Sequence, residues 1–296
     1  MASHIKESKS RNVFSVVNYI FFSLCILLCA YPLWYIFIQS LSGTHMAGKG
    51  LILPYQPTLS NYAQVMQLEG IFRAFGVSVA RTVVGTIGTV MCCMLLGYLF
   101  TKEQMPLRKV LYRMVTVTMY VSGGLIPTFL VIKAYGLTNN FWVYILPSLV
   151  SAYYIILIKT YVEQLPASVE ESAMLDGAGV LTIFLRIILP MSLPIVATIA
   201  VYASVGQWNS WFDNHIYTFT KDSLTTLQYT LYRYLNEAER IAEQLEKGNI
   251  DERMLTLTPT GVRMTVTMIT VLPVLMIYPF LQRYFIKGIM IGAVKG

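Results

Sequence analysis

Charge is scarce in this chain of 296 residues: 12% of them are Asp, Glu, Lys or Arg, whereas 55% are hydrophobic. Soluble domains carry about 25% charged residues, so the composition excludes an ordinary soluble protein and predicts an integral membrane protein. The net charge of +7 does not indicate nucleic-acid binding, because the basic residues are scattered singly instead of forming a stripe. The positive-inside rule explains them more simply.

The residues that usually carry chemistry are also missing. The four cysteines lie in apolar runs, with neither disulfide nor metal-site spacing. The three histidines lie far apart and there is no H-E-x-x-H motif, so we predict no catalytic residue and no metal site. No Asp, Glu or His falls inside an apolar stretch of membrane-spanning length, which argues against proton coupling within the chain; Na⁺ held by backbone carbonyls stays open. Without a G-x-x-x-x-G-K-[ST] loop, ATP must be bound by another subunit.

Six apolar stretches are long enough to cross a membrane, which takes about 20 residues per helix. They cover residues 13–41, 77–100, 111–132, 141–158, 191–212 and 262–285. The first has no small-residue cleavage site and is predicted to remain as an uncleaved span. Proline and glycine recur within the spans, which predicts an all-α bundle of kinked, closely packed helices. Arg81, Arg113 and Arg263 lie near span ends, where their side chains are expected to reach the membrane surface.

Lys and Arg are more frequent in the connections that face the cytoplasm if the N-terminus lies inside. The positive-inside rule therefore predicts that both termini are cytoplasmic. On this topology the connection 163–190 is cytoplasmic and the connection 213–261 is external. Leucine and alanine recur every three or four residues between 224 and 246. This pattern predicts an amphipathic helix or helix pair that either caps the bundle or contacts an external partner.

The cytoplasmic connection contains the stretch "EESAMLDGAGVLTIFLRIILP". Pro166 is a possible first helical position, Glu170 and Glu171 follow in the early turns, and Gly177 and Gly179 interrupt the pattern. We predict a helix, a sharp turn and a second helix. A short acidic helix on the inner surface could sit in the groove of a basic cytoplasmic partner. An acidic, solvated loop that balances nearby basic residues is the alternative from composition alone.

The spacing within this stretch resembles the EAA signature of bacterial ABC importer permeases, which is E-A-A, three residues, Gly, nine residues and I-x-L-P. The matching positions are Glu171, Ser172, Ala173, Gly177, Ile187, Leu189 and Pro190. Ser172 replaces the second alanine, a small residue for a small residue. The stretches "VGQWNSWFD" and "LPVLMIYPFLQRYFIKGIMIGAVKG" look like the carbohydrate-uptake, maltose-permease-like branch and its LplC/YtcP group. Tyr154 stands where this group is expected to have Asn.

The resemblance implies a single permease domain over residues 1–296, with the type I ABC importer permease fold, in the bacterial cytoplasmic membrane. Such a subunit is a multi-pass protein surrounded by lipid and is not itself an enzyme. It pairs with a second homologous permease, and two ATP-binding cassette ATPase subunits beneath them bind ATP and Mg²⁺. An extracytoplasmic solute-binding protein delivers the carbohydrate, which we expect to be an oligosaccharide. The EAA positions would dock onto the ATPase, which ranks Glu171 and Gly177 above Glu170 and Asp176.

Sugar transport would need aromatic faces beside amide and hydroxyl groups. Gln207, Trp208 and Asn209 offer that mixture, and Tyr120, Ser122 and Tyr154 are further candidates. Trp208, like the nearby Trp211, could instead belong to an interfacial aromatic belt. In the maltose system the sugar site lies mainly in the partner permease, so a purely gating role for this chain stays open.

Neutral oligosaccharides, uronate-containing fragments of pectin or xylan, and alginate fragments all fit the sequence. A stand-alone secondary transporter or facilitator is the alternative function, and it would be driven by an ion gradient and indifferent to ATP. A membrane-embedded enzyme is a third reading, which the missing catalytic groups weaken.

Overall fold

A computed structural model describes residues 9–43, 52–67, 70–246 and 260–276. Every regular element within these ranges is a helix. The α-helices are α1 Lys9–Ser40, α2 Ser60–Gln67, α3 Ile71–Leu99, α4 Arg108–Val117, α5 Leu125–Ala134, α6 Ala152–Val162, α7 Ala167–Leu175, α8 Val180–Ile183, α9 Leu189–Met191, α10 Leu193–Asn209, α11 Phe212–Tyr217, α12 Leu227–Glu246 and α13 Thr260–Met276. Three short 3₁₀ helices cover Phe141–Tyr144, Leu146–Ser148 and Asp222–Leu224, and a π-helical turn covers Phe184–Ile188.

The chain divides into two compact units, residues 1–68 with 234–269 and residues 69–233 with 270–296. In the first unit, α1 leaves most of its large apolar side chains exposed, as expected of a helix in lipid. Its end is fixed by Asn61 of α2, whose amide donates to the carbonyl oxygens of Ser40 and Ser42 at 3.1 and 2.8 Å. The Tyr62 hydroxyl also lies 2.7 Å from the Ser40 hydroxyl. Burial raises the pKa of Tyr62, which therefore stays neutral.

The second unit is organised around α3, an unbroken helix of 29 residues that packs against α6 and α10. Glycines allow the close approach of these helices. A Cβ on Gly97 would lie 2.5 Å from Cγ2 of Ile158 on α6, and one on Gly85 would lie 2.7 Å from Cδ of Gln207 on α10. Around the end of α3 a buried apolar cluster joins α6 to the segment after α7; it includes Met94, Tyr98, Ile155, Ile158, Ile183, Phe184 and Ile199.

Several predicted spans are broken helices. The predicted third span, 111–132, is divided between α4 and α5 around Gly124, whose φ of 81° only glycine adopts readily. In the fourth, 3₁₀ turns containing Pro147 meet α6 at a bend of 48°, and the chain bends by 83° between Val180–Met191 and α10. Proline lacks a backbone N–H, so Pro147 and Pro194 favour such breaks.

In the described ranges, two helices are long and apolar enough to cross a membrane, Val13–Ser40 and Ile71–Leu99, or up to four if each bent pair forms one span. Six spans remain a prediction. The predicted sixth span begins in α13, but residues 277–285 lie outside the described residues, as do 1–8 and 286–296, so the predicted orientation of the termini is not addressed. In the predicted external connection, the amphipathic stretch forms α12, whereas residues 247–259 also lie outside the described residues.

Candidate functional site

The EAA-like segment forms the helix, turn and helix expected from its sequence. Helix α7 ends at Leu175, and α8 begins at Val180. Between them Gly177 has a φ of 79°, and its N–H donates to the carbonyl of Met174 at 3.0 Å. A Cβ added to Gly177 would meet nothing within 4 Å. Within this chain, glycine is therefore needed for the left-handed turn, not for space.

Helix α7 is attached to the end of α3 through Glu170. The carboxylate of Glu170 forms an ion pair with Lys102 and accepts a hydrogen bond of 2.8 Å from the Tyr98 hydroxyl. The Lys102 ammonium lies 4.4 Å from the centre of the Tyr98 ring, which stacks on Phe184 at 5.6 Å. The side chains of Lys102 and Glu170 are only 15% and 16% exposed. The pair thus links the EAA-like segment to the longest helix of its unit.

The matched EAA positions divide into exposed and inward-facing residues. Glu171, Ser172, Gly177 and Pro190 are exposed, whereas Ala173 is buried. Ile187 and Leu189 are half-buried against the apolar cluster. Sequence matching ranked Glu171 above Glu170. The structure gives these neighbours different positions, because Glu170 is bound within the chain while Glu171 remains at the surface.

The outer surface of this segment is also apolar. Leu175 is 89% exposed at the end of α7, and Met174, Val180 and Leu181 near it are also exposed. We call these four residues the apolar tip. Together with Glu171 they form a surface with an acidic group beside apolar side chains. Such a surface is suited to a helix-in-groove contact with a protein partner.

A cavity of about 450 Å³ lies in the second unit between α3, α5, the 3₁₀ turns, α6, α10 and α11. Hydroxyl groups, aliphatic side chains and one ion pair form its wall. The lining residues are Arg81, Thr89, Thr128, Ile132, Val143, Tyr144, Pro147, Ser148, Val150, Ser151, Tyr154, Ala203, Gly206, Gln207, Ser210, Asp213 and Tyr217. Burial, reinforced by Asp213, raises the pKa of Tyr217, so this residue offers a neutral hydroxyl.

Arg81 corrects one sequence-based expectation. It was expected to reach the membrane surface, but its side chain is 2% exposed and paired with Asp213. Its guanidinium donates to Asp213 Oδ1 at 3.1 Å, to Gln207 Oε1 at 3.1 and 3.2 Å, and to the carbonyl of Ser210 at 3.2 Å. It also lies 4.5 Å from the centre of the Tyr144 ring. The reason is that α3 begins at Ile71, six residues before the predicted span, so Arg81 lies well inside the helix.

Arg263 is exposed near the start of α13 and forms an ion pair with Glu239 at 3.6 Å, within the first unit. Its predicted position at the membrane surface stays a prediction. Arg113 is exposed on α4.

Of the predicted sugar contacts, Gln207 and Tyr154 line the cavity. Gln207 is already bound, since its amide donates to the Ser148 hydroxyl at 2.8 Å and its oxygen accepts from Arg81. Tyr154 stacks against Tyr202, with the ring centres 6.4 Å apart. The tyrosine found in place of the expected Asn thus contributes a ring and a hydroxyl to the wall.

The other predicted sugar contacts lie outside this cavity lining. Trp208 is buried against Phe75 and donates its indole N–H to the carbonyl of Thr270 at 3.0 Å. Asn209, Tyr120 and Ser122 are exposed and do not line the cavity. Successive residues of α10 point about 100° apart, so Gln207 faces the cavity while Trp208 and Asn209 do not.

Trp211, which was considered as a member of an interfacial aromatic belt, stacks on Tyr232 with ring centres 4.1 Å apart.

Sequence reasoning missed Arg81 and Asp213 as partners. An arginine near one predicted span and an aspartate just after another were the available signal. Among the described residues, no group of three or more His, Cys, Asp or Glu side chains could hold a metal ion.

Comparison with known proteins agrees with the resemblance seen in the motifs. No family model matches the chain. It is 35% identical over 293 residues to protein LplC of Bacillus subtilis, which covers 98% of this chain and 97% of LplC. It is 32% identical over 288 residues to the polygalacturonan/rhamnogalacturonan transport system permease protein YtcP of the same organism, which covers 96% of this chain and 99% of YtcP.

Among solved structures, a chain of a bacterial ABC transporter involved in the import of the acidic polysaccharide alginate superposes with a TM-score of 0.81. That chain is 25% identical to this one, and the match covers 95% of this chain and 99% of the other. The fold is therefore that of an ABC importer permease. By its identity to LplC and YtcP over nearly the whole length of each protein, the chain belongs to the carbohydrate-uptake permeases of bacterial ABC importers.

Proposed function

We propose that this chain is one of two permease subunits of an ATP-driven importer for oligosaccharides, with six spans and both termini in the cytoplasm of a bacterium. A second homologous permease completes the pathway, and a solute-binding protein delivers the sugar from outside. The chain binds no cofactor itself, because ATP and Mg²⁺ are held by two ATPase subunits. The observation that carries this proposal is helix α7, which is held to α3 by Glu170 while Glu171 and the apolar tip face outward.

Docking of the ATPase would use this outward surface. Leu175, Met174 and the start of α8 would enter a groove, and Glu171 would pair with a basic group there. The left-handed Gly177 fixes the angle between α7 and α8, so the two helices can move together. When the ATPase pair closes on ATP, α7 would be displaced and the pathway would change between inward-open and outward-open states.

The cavity is the proposed place where this chain contacts sugar. The hydroxyls of Ser151, Tyr154 and Tyr217 line it and form no hydrogen bond within the described part of the chain. Hydroxyl and aromatic groups match the hydroxyl edges and apolar faces of a sugar ring. The names of YtcP and of the alginate transporter favour a fragment of polygalacturonan, rhamnogalacturonan or alginate, so oligosaccharides of these three polymers are the first substrates to test.

Reconstitution tests the proposal. Proteoliposomes that contain this chain, the second permease and the ATPase subunits should take up oligosaccharide only when ATP and the loaded binding protein are both present. Leu175→Asp should abolish capture of the ATPase by the permease pair, whereas Leu59→Asp, at an exposed position in the predicted external connection between the first two spans, should leave capture intact. Uptake by this chain alone, driven by an ion gradient without ATP, would instead establish the stand-alone transporter.

A further inference from the structure

The contact between Lys102 and Glu170 joins two segments that are far apart in sequence. Glu170 lies on α7, and Tyr98 and Lys102 lie at the end of α3 and just beyond it. Both oxygens of the carboxylate receive a hydrogen bond from Lys102, and Oε1 also accepts the Tyr98 hydroxyl. A charge-assisted contact with two donors holds a side chain more firmly than a single exposed ion pair. It fixes α7 to α3 at a defined point.

The same helix reaches the cavity. Arg81 and Tyr98 are both on α3 and lie about 26 Å apart along its axis, at 1.5 Å per residue. No residue of α3 between them is proline, and the helix is continuous. At its far end Arg81 binds Gln207 and Asp213, which line the cavity. A displacement of the Lys102 end is therefore carried to the cavity wall by a rigid element.

The chain contains a second ion pair of the same composition that lacks this arrangement. Lys159 and Glu163 are four residues apart on and just after α6, and Glu163 is 47% exposed. Their contact, at 2.6 Å, joins adjacent turns of one helix, and the Glu163 carboxylate joins no second element. The Lys159 ammonium also lies 5.1 Å from the centre of the Tyr112 ring on α4, so the control is made at Glu163. Exposed pairs of this kind contribute little. It is the matched control for the pair that connects α7 with α3.

We propose that Lys102 and Glu170, with the Tyr98 hydroxyl, are positioning residues that transfer the movement of α7 to α3 and thereby to the cavity wall. The inference rests on the proposed function, since it takes the ATPase as the source of that movement. It assigns different tasks to two neighbouring acids. Glu171 faces the ATPase, and Glu170 connects the docked helix to the rest of the chain.

A cysteine reporter in the cavity tests this transfer without a sugar. Val150 lines the cavity and is half exposed, so a Val150→Cys variant of the full transporter can be labelled with a small charged methanethiosulfonate reagent. Labelling rates are compared in the nucleotide-free complex and in the complex trapped with ATP and vanadate. The unsubstituted chain, with its four native cysteines, gives the background.

With the pair intact, trapping should change the labelling rate of Val150→Cys. In Lys102→Met or Glu170→Gln backgrounds this change should shrink by roughly fivefold or more, while the complex still captures ATPase. The charge-reversed variant Lys102→Glu with Glu170→Lys should recover part of the change. Glu163→Gln, which keeps the Lys159 ammonium and its contact with the Tyr112 ring, should leave the change as it was.

Three results would overturn the proposal. The first is a labelling change that persists in both single variants, and the second is one that is absent even with the pair intact. The third is a loss that the charge-reversed variant does not restore at all. The proposed function has a separate test, which is the capture of ATPase. If the Leu175→Asp variant still captures ATPase, the proposed docking through α7 is wrong, whatever the labelling rates are.

Discussion

Helix α3 is connected to its neighbours by two ion pairs, one at Arg81 on the side of the cavity, which we call its cavity end, and one at Lys102, just beyond its last residue. The two pairs differ in kind. At the cavity end the planar guanidinium of Arg81 is held by the side chains of Gln207 and Asp213 and the carbonyl of Ser210. At the other end the ammonium of Lys102 meets one carboxylate and a tyrosine ring. A bound guanidinium has a fixed geometry, whereas an ammonium on a flexible stem adapts. The difference indicates a junction of fixed geometry at the cavity and, at α7, a joint that keeps the two helices attached while it allows them to pivot.

Removing Asp213 should have the largest effect, because it leaves Arg81 charged and buried. Asp213→Asn is expected to lower the free energy of unfolding by about 3–5 kcal/mol. The midpoint of thermal unfolding of the detergent-purified complex measures the loss. Arg73→Met, which removes an exposed arginine from the same helix, serves as the control and should change the midpoint little. Equal midpoints for both variants would show that the junction at the cavity end is not rigid.

Gly97 tests how α3 is held near the movable end. Gly97→Ala places a Cβ 2.5 Å from Ile158 Cγ2, so α3 and α6 must separate, at about 1–3 kcal/mol of unfolding free energy. Gly76→Ala on the same helix meets nothing within 4 Å and should be neutral or slightly stabilising, because alanine favours helix. If the two variants unfolded alike, close packing of α3 on α6 would not be what positions Lys102.

Sequence reasoning went furthest where local patterns decide the structure. The EAA-like segment was predicted to form a helix, a turn at Gly177 and a second helix, and the structure has all three. A left-handed turn after a short helix can be predicted because it depends only on residues that are adjacent in sequence. Helix α12 likewise follows from its own leucine periodicity.

Long-range pairing was not available from the same patterns. Asp213 follows Arg81 by 132 residues, and only the packing of α3 against α10 brings them together. Hydropathy alone did not predict the break between α4 and α5, although Gly123 and Gly124 are among the glycines that predicted kinked spans. The choice of Glu171 over Glu170 followed the family spacing, and only the position of Lys102 shows that Glu170 is bound within the chain.

The turn at Gly177 tests the movable end without touching the ion pair. Gly177→Ala puts a side chain on a residue with φ of 79°, which costs about 1–2 kcal/mol locally and shifts α8 relative to α7. ATPase capture by the reconstituted complex should weaken by roughly fivefold to thirtyfold, the equivalent of that energy. Gly179→Ala is the control, since its φ of −74° suits any residue and its Cβ would also meet nothing within 4 Å. Equal capture by both variants would contradict a docking role for the turn.

The smallest effect is expected in the cavity, where the Tyr154 hydroxyl would give one hydrogen bond to a sugar. A neutral hydrogen bond contributes about 0.5–1.5 kcal/mol, so Tyr154→Phe should raise the half-saturating concentration of loaded binding protein by about twofold to tenfold while the maximal rate holds. Tyr120→Phe removes the same atom from a residue that is 83% exposed outside the cavity lining, and uptake should not change. A loss of maximal rate without a change in half-saturation would assign Tyr154 to the movement of the wall, and the cavity end of α3 would then be less rigid than its arginine indicates.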